Sequence, residues 1–427
     1  QALQAMACNR AAIVDMNPVL LKPETDIGAQ VIVQGQRMAT VKAREYSKLK
    51  PRLMPKVLDS FHRLAKTVDY VIIEGAGSPA EINLRANDIA NMGFAEAANV
   101  PVVLIGDIDR GGVIAQMVGT HVVLSSEDRD RITGFAINKF RGDVTLFDDG
   151  ITAIRQGTGW RNLGVLPWFA DAWKLPAEDI MDIATRPGGE VKIAVPRLGR
   201  IANFDDLDPL VAEPNVTVDI IEQGQPLPGD AALIILPGSK STINDLENFR
   251  ANSWDIDLKA HHRRGGKIFG ICGGYQMLGR KIHDPEGIEG APCSAEGLGY
   301  LDIETTMTPK KNISLTTAHT VANRTPVHGY EIHLGETSGP DCQNPWLRLA
   351  DRPEGAMSPD QRVRGCYLHG LFTSDGFRNE VLADLGTSSQ LTSYDTTVHE
   401  TLDKLAVFVE RHMDVDGLLS LAGEIEL

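Results

Sequence analysis

The sequence predicts an α/β protein made of two parallel-sheet halves, and three observations carry that expectation. Short apolar runs alternate with helix-like stretches. The runs are apolar and β-branched along their whole length. The alternation stops at a Pro/Gly break and then starts again. Continuous apolar strands suit a parallel sheet buried on both faces, and strand–helix alternation suits a doubly wound sheet.

In the first half the runs are DYVIIEG (69–75), VPVVLIGDID (100–109), RITGFAINKF (131–140) and NLGVLPW (162–168). A helical pattern from about Ser47 to Lys66 precedes them, and the opening QALQAMACNRAA reads as the middle of a helix. The break is RPGGE (186–190), which sets a first domain at 1–186. The pattern then restarts with VKIAVPRL (191–198), VTVDIIEQ (216–223), AALIILPGSKS (231–241) and GGKIFGICGGYQMLG (265–279). Strand-rich sequence from about 298 to 335 and VRGCYLHGLF (363–372) follow. The second domain is therefore set at 191–427, with a core over about 191–380 and an amphipathic helical tail from about residue 395.

A chain of 427 residues is long enough for two or three domains with substantial cores. Its formal net charge of −15 argues against a general nucleic-acid binder. No apolar run approaches the roughly 20 residues needed to span a bilayer, and no secretory signal opens the chain. Five widely spaced cysteines form no CxxC pair. That disfavours a structural zinc site and fits a reducing cytoplasm.

Chemistry concentrates at KIFGICGGYQMLG. An apolar strand runs into Gly270-Ile271-Cys272-Gly273-Gly274, and a helix pattern begins at Tyr275. This is G-x-C-x-G, the thiol counterpart of the nucleophile elbow. The sharp turn needs residues without Cβ on either side, and the thiol then sits at a helix N-terminus that favours thiolate. A free Cys is usually a small buried residue; glycines at both required offsets set Cys272 apart. Cys8, Cys293, Cys342 and Cys366 lack them.

A thiolate wants a base nearby. His369 follows an apolar run and emerges at a strand end, where sites form in open α/β sheets. On position alone a strand-end His is more often structural. His261, His262 and His283 sit in polar stretches and read as solvated; His319, His328 and His333 are ambiguous. The Gly273 amide is placed to donate to an oxyanion. The turn LPGSKST (236–242), through Gly238 or Ser239, is the candidate for the second donor, with Gly238 preferred. That turn lacks the G-x-x-x-x-G-K spacing of a phosphate loop.

GICGGYQMLG, LPGSKST and YLHGLF together resemble the glutamine amidotransferase domain of the cobyric acid synthases. The first half resembles the same family through MNPVLLKPETDIGAQVIVQG (16–35), VIIEGAGSPAEINL (71–84), GDIDRGGVIAQ (106–116) and FAINKFRGD (135–143). RLGRIANFDDLDPL (197–210) and GYEIHLG (329–335) are further matches. The resemblance covers nearly all of the chain.

It implies an N-terminal domain similar to dethiobiotin synthetase, of the P-loop NTPase type. It also implies a C-terminal class I, flavodoxin-like amidotransferase domain. The implied reaction is amidation of the b, d, e and g carboxylates of adenosylcobyrinic acid a,c-diamide. Glutamine gives ammonia, and ATP with Mg2+ activates each carboxylate as an acyl phosphate. No tightly bound cofactor, nucleic acid or membrane is implied. His369 becomes the general base, and ammonia travels between the domains along a protected path.

Residue by residue, the resemblance gives Glu74 a place at Mg2+ and at the cofactor, and gives Asp107 and Asn138 to cofactor binding. Asn138 resembles the residue that reads adenine, for which an amide offers a donor and an acceptor together. For Asp107 and Asp109 the competing reading is an N-cap of the helix at 113–119. Arg110 follows with two glycines and can bind an anion; Lys22, Arg85 and Arg141 are further candidates for the corrinoid carboxylates. Two departures stand out. Leu371 occupies the position where most such amidotransferases carry a Glu that orients the His, which leaves the partner of His369 open. A glycine-rich loop ending in Gly-Lys-Ser does not occur in the 427 residues. The alternatives are cobyrinic acid a,c-diamide synthase and a glutaminase-only or fragment protein without ATP binding.

Overall fold

The computed structural model describes residues 2–25, 28–176 and 188–425. The chain divides into two compact units, Gln1–Ala172 with His399–Leu427, and Trp173–Val398.

The first unit opens on the helix Ala2–Ala7 and an antiparallel sheet of β1 (Val19–Thr25), β2 (Gly28–Val33) and β3 (Gln36–Lys42), in that order. The long helix Ala43–Ala65 buries Leu53, Val57 and Phe61 with Val31 of β2. A second sheet, fully parallel, runs β4 (Val102–Asp107), β5 (Ile132–Phe140), β6 (Arg161–Pro167). The helices Val113–Val123 and Asp148–Thr158 make the crossovers, and Met117, Phe135, Ile137 and Ile154 form the core between them. Parallel register sets Asp107 opposite Asn138 at the carboxyl ends of β4 and β5.

Two sequence expectations change here. DYVIIEG forms no strand: among the described residues no ladder partner lies beside 69–75, and Ile72 is 85% exposed. The tail also groups differently. The helix Tyr394–His412 carries the chain to the first unit, where Gly164 bridges Met413 and Arg161 pairs with Asp414 at 2.7 Å. Contacts outweigh chain proximity, so the residues from His399 belong with the first unit.

The second unit is built on β7 (Val191–Pro196), β8 (Ile201–Ala202), β9 (Val216–Ile221), β10 (Leu233–Leu236), β11 (Gly238–Ser239), β12 (Lys267–Ile271), β13 (Lys281–Asp284) and β14 (Cys293–Glu296). It continues with β15 (Glu304–Thr320), β16 (Pro326–Ser338), β17 (Leu347–Leu349), β18 (Pro353–Glu354), β19 (Ala356–Met357), β20 (Val363–Cys366) and β21 (Leu368–His369). Its central sheet has the order β19-β20-β12-β10-β7-β9, parallel except at the β19 edge. Strand β10, Leu-Ile-Ile-Leu, is inaccessible at every position, as a strand covered on both faces should be. A seven-stranded sheet carries the order β14-β13-β15-β16-β21, with β17 and β18 beside it. The antiparallel pairing of β16 with β21 sets Tyr330 opposite His369. No helix among the described residues is long and apolar enough to cross a membrane.

Candidate active site

Strand β12 delivers Cys272 to the first turn of the helix Gly273–Leu278. The residue is held at φ 51°, ψ −108°, a left-handed backbone that a side chain rarely adopts. Such strain persists only where the surroundings over-determine it. They do so here through the glycines. A Cβ on Gly270 would lie 2.7 Å from the Gly274 carbonyl oxygen, and one on Gly274 would lie 2.1 Å from that of Leu236. The Cys272 amide donates to the Cys366 carbonyl at 2.8 Å, and its thiol faces the Ile332 carbonyl at 3.7 Å.

His369 is fully buried, and both ring nitrogens are engaged. Nδ1 lies 2.7 Å from Oδ2 of Asp206, and Nε2 lies 3.0 Å from Nδ2 of Asn203. The second oxygen of Asp206 accepts from the Gly370 amide at 2.6 Å, so the carboxylate holds both ring and backbone. Tyr330 stacks on the imidazole with centroids 5.4 Å apart and planes within 20°. Burial acts to lower the basicity of His369. The Asp206 carboxylate and the Cys272 sulfur outweigh it and push the pKa up to about 11. This identifies the partner that the sequence left open. Asp206, 163 positions upstream, is the acidic partner of the ring that Leu371, two residues after the His, does not supply.

The turn after β10 supplies the other wall. The Lys240 amide donates to the Arg200 carbonyl, which fixes the alternation of the short β8–β11 ladder. That alternation directs the Gly238 N–H to Ala202 and turns the Ser239 N–H to the opposite side. A Cβ on Gly273 would lie 2.8 Å from the Ser239 nitrogen. The expectation for Gly238 is therefore corrected: its own N–H serves the ladder, and Ser239 is the amide beside Gly273. Gly238 matters for its missing side chain, since a Cβ there would lie 3.0 Å from Cε1 of His369. The Ser239 hydroxyl donates to Asp245 at 2.6 Å, and Glu289 caps the following helix through the Thr242 and Ile243 amides. Both contacts brace the turn.

Elsewhere in this unit His261 is buried, with Nε2 2.9 Å from the Lys267 carbonyl, so its reading as solvated is corrected. The polar stretch around it hides an inward helical position. His283 lies between Ser294 and Glu304, and buried His333 stacks on Tyr367 at 3.8 Å.

In the first unit the candidates fall into two groups. Glu74 and Arg85 line a cavity of about 1350 Å3, with Gly75, Gly77 and Asn91. Arg85, however, makes a two-armed pair with buried Asp128 at 2.6 and 2.8 Å and a further contact with Glu96. Its charge is neutralised internally, and it is withdrawn as a carboxylate-binding residue. Asp107, Asn138 and Arg141 gather at the strand ends. Lys139 pairs with Asp107 at 2.9 Å and lowers its pKa; Arg141 pairs with Asp109 at 2.7 Å and lies 3.8 Å over the Trp168 ring. Asn138 accepts from the Lys139 amide through Oδ1. Arg110 is exposed next to this group. Neither Asp caps the helix at 113, whose N-cap is Gly112. The Lys22 side chain lies outside the described residues.

Sequence reasoning missed Asp206, Asn203 and Tyr330 as parts of the site. The signal was present in the segments IANFDDLDPL and GYEIHLG. Two adjacent acids after a β-turn sequence read equally well as helix-capping residues, and nothing local ties them to a His so far along the chain.

Residues 192–377 match the CobB/CobQ-like glutamine amidotransferase domain, and residues 2–173 match an AAA domain. A cobyric acid synthase of a Ruegeria species is 61% identical over 100% of this chain and 88% of its own length. The chain belongs to the cobyric acid synthase family. Family members from Rhodobacter capsulatus and Bradyrhizobium diazoefficiens are 59% and 57% identical. Each match covers 99% of this chain and 88% of the relative. In this family's amidotransferase domain, then, the strained Cys272 and the Asp206-held His369 fall inside the matched residues.

Proposed function

We propose that the chain amidates the b, d, e and g carboxylates of adenosylcobyrinic acid a,c-diamide with nitrogen from glutamine, driven by ATP, giving adenosylcobyric acid. The coarser statement follows from the family: the chain is an amidating ligase of cobalamin biosynthesis that uses glutamine. The observation that carries the reading is a cysteine forced into a left-handed elbow in the same site as a buried His–Asp pair.

In this reading the Cys272 sulfur attacks the glutamine side-chain carbonyl. The Gly273 and Ser239 amides hold the oxyanion, each contributing roughly 3 kcal/mol. The C–N bond breaks as imidazolium of His369 protonates the departing nitrogen, and ammonia leaves. The neutral ring then takes a proton from water, whose oxygen attacks the thioester; the C–S bond breaks and glutamate is released. Asp206 holds the ring in the tautomer that both steps need.

In the first unit Glu74 would hold Mg2+, and ATP when bound supplies the phosphoryl group that activates the carboxylate. Glu74 offers a single carboxylate at the wall of the cavity, beside Gly75 and Gly77. Mg2+ characteristically takes one or two carboxylates and fills its shell with water and phosphate oxygens. Asp107 and Asn138 would position the nucleotide, with Arg110 and Arg141 turned to anionic groups of the substrates.

The test is Cys272→Ala. The variant is expected to release no glutamate from glutamine yet still to amidate the corrinoid when ammonium salt replaces glutamine. Continued glutamate release by the variant would remove Cys272 from the mechanism.

A further inference from the structure

The mechanism above uses one nitrogen of His369 for the proton and the other for Asp206. The structure puts a second partner on the working nitrogen. Asn203 Nδ2 lies 3.0 Å from Nε2, in a ring that has no solvent exposure. The backbone of Asn203 is itself unusual, at φ 52°, ψ 55°. Asn tolerates this left-handed region better than most residues, but Gly does so more readily. A Gly here would leave the turn from β8 to Asp206 unstrained, so conformation alone does not ask for the amide.

Resting on the amidotransferase reading, we propose that Asn203 is a positioning residue for proton transfer: its side-chain amide pairs with Nε2 of His369 in both protonation states. A carboxamide carries a donor and an acceptor on one carbon. Toward a neutral ring it presents Nδ2–H. Toward an imidazolium it presents Oδ1 after a half-turn about the terminal torsion. An obligate donor or an obligate acceptor would oppose one half of the cycle. The ring must be protonated when ammonia leaves and neutral when water attacks. Asp206 on Nδ1 and Tyr330 on the ring face restrict tilting, so the amide holds Nε2 in place and gives way to the departing nitrogen or the water only as the proton moves.

The groups facing the ring are Asp206 and Asp205 from the loop after β8, Tyr330 from β16 and Cys272 from the elbow. Asp205 is held above the usual carboxylate range, by burial first and then by Asp206, and the Tyr330 phenol is pushed up by burial and the same two carboxylates. Asp206 is taken up at Nδ1, and Tyr330 lies on the ring face with its hydroxyl toward Asp205, which leaves Asn203 as the side chain that meets Nε2.

Two variants test the idea, with glutamate release by the wild type as the control. Asn203→Gly keeps the backbone and removes the amide. It is expected to lower kcat for glutamate release about tenfold with KM within about twofold. Asn203→Asp replaces the amide by a group that only accepts. It favours imidazolium, so hydrolysis of the thioester slows. A covalent glutamyl adduct on Cys272 is then expected to build up in acid-quenched protein by intact mass. The acidic limb of the pH profile is expected to move up by about one unit. Wild-type kcat and pH profile in N203G, or no adduct and an unmoved limb in N203D, overturns the role of Asn203 while leaving the Cys272 reading intact. Failure of the wild type itself to release glutamate overturns the reading beneath it.

Discussion

The two units treat charge in opposite ways. In the second unit the groups that matter are dry. His369 and Asp206 have side-chain exposures of 0% and 4%, and the Arg378–Glu213 pair is wholly inaccessible. In the first unit the ionic groups at the strand ends stay wet, with exposures of 46% and 36% for Lys139–Asp107 and 57% and 38% for Arg141–Asp109. A buried charge pair must be complete to be tolerated. The amidotransferase site is therefore finished by its own chain. Partners at the open strand ends can exchange for a ligand at little cost, which suits a site that substrates complete.

The largest effect should come from taking apart the dry site. Asp206→Asn leaves the shape but offers Nδ1 the wrong partner, and is expected to lower glutaminase kcat by about 10^3-fold with KM nearly unchanged. A loss under about threefold would mean that His369 is held by something else. Next comes a stability contrast. Arg378→Ala leaves Glu213 buried with only its Ser389, Gln390 and Leu391 contacts. It is expected to destabilise the second unit by about 3–5 kcal/mol in chemical denaturation. Arg141→Ala, at an exposed pair, is expected to leave the denaturation midpoint within error; equal effects from the two would erase the comparison. Third, Glu74→Gln is expected to reduce ATP-dependent amidation by about 10^2-fold, while glutamate release continues at the wild-type rate.

The smallest and most gradual effect is on pH. Although burial opposes it, Asp206 and Cys272 raise the His369 pKa in the folded protein from 6.5 to about 11. A raised pKa adds stability that is fully present below pH 6.5 and is lost as pH climbs through about 11. The melting-temperature advantage of wild type over His369→Gln should therefore shrink steadily across that window. An advantage that grows with pH would show that the ring is neutral in the fold.

Much of this was legible in the sequence where the cause is local. G-x-C-x-G announces the elbow because close approach demands glycine at positions adjacent in the chain, and the clashes at Gly270 and Gly274 bear that out. Strand β10 is readable because four consecutive apolar residues have one natural home. The partner of His369 was not legible, because an ion pair between residues 206 and 369 leaves no trace in spacing. The turn after β10 was half legible: the segment does lie beside the elbow, but which of its amides comes next to Gly273 depends on ladder alternation. The strand at 69–75 shows the opposite failure. Its apolar pattern is strong, but a pattern does not make a strand without a neighbour to pair with.

Asp206 is encoded early in the second unit, Cys272 in the middle and His369 near its end. During synthesis the sulfur therefore leaves the ribosome well before the imidazole that serves it. A polypeptide cut short anywhere in between holds the elbow cysteine without the ring and its carboxylate pairing. The three side chains share one site only when the whole span from residue 206 to residue 369 is present.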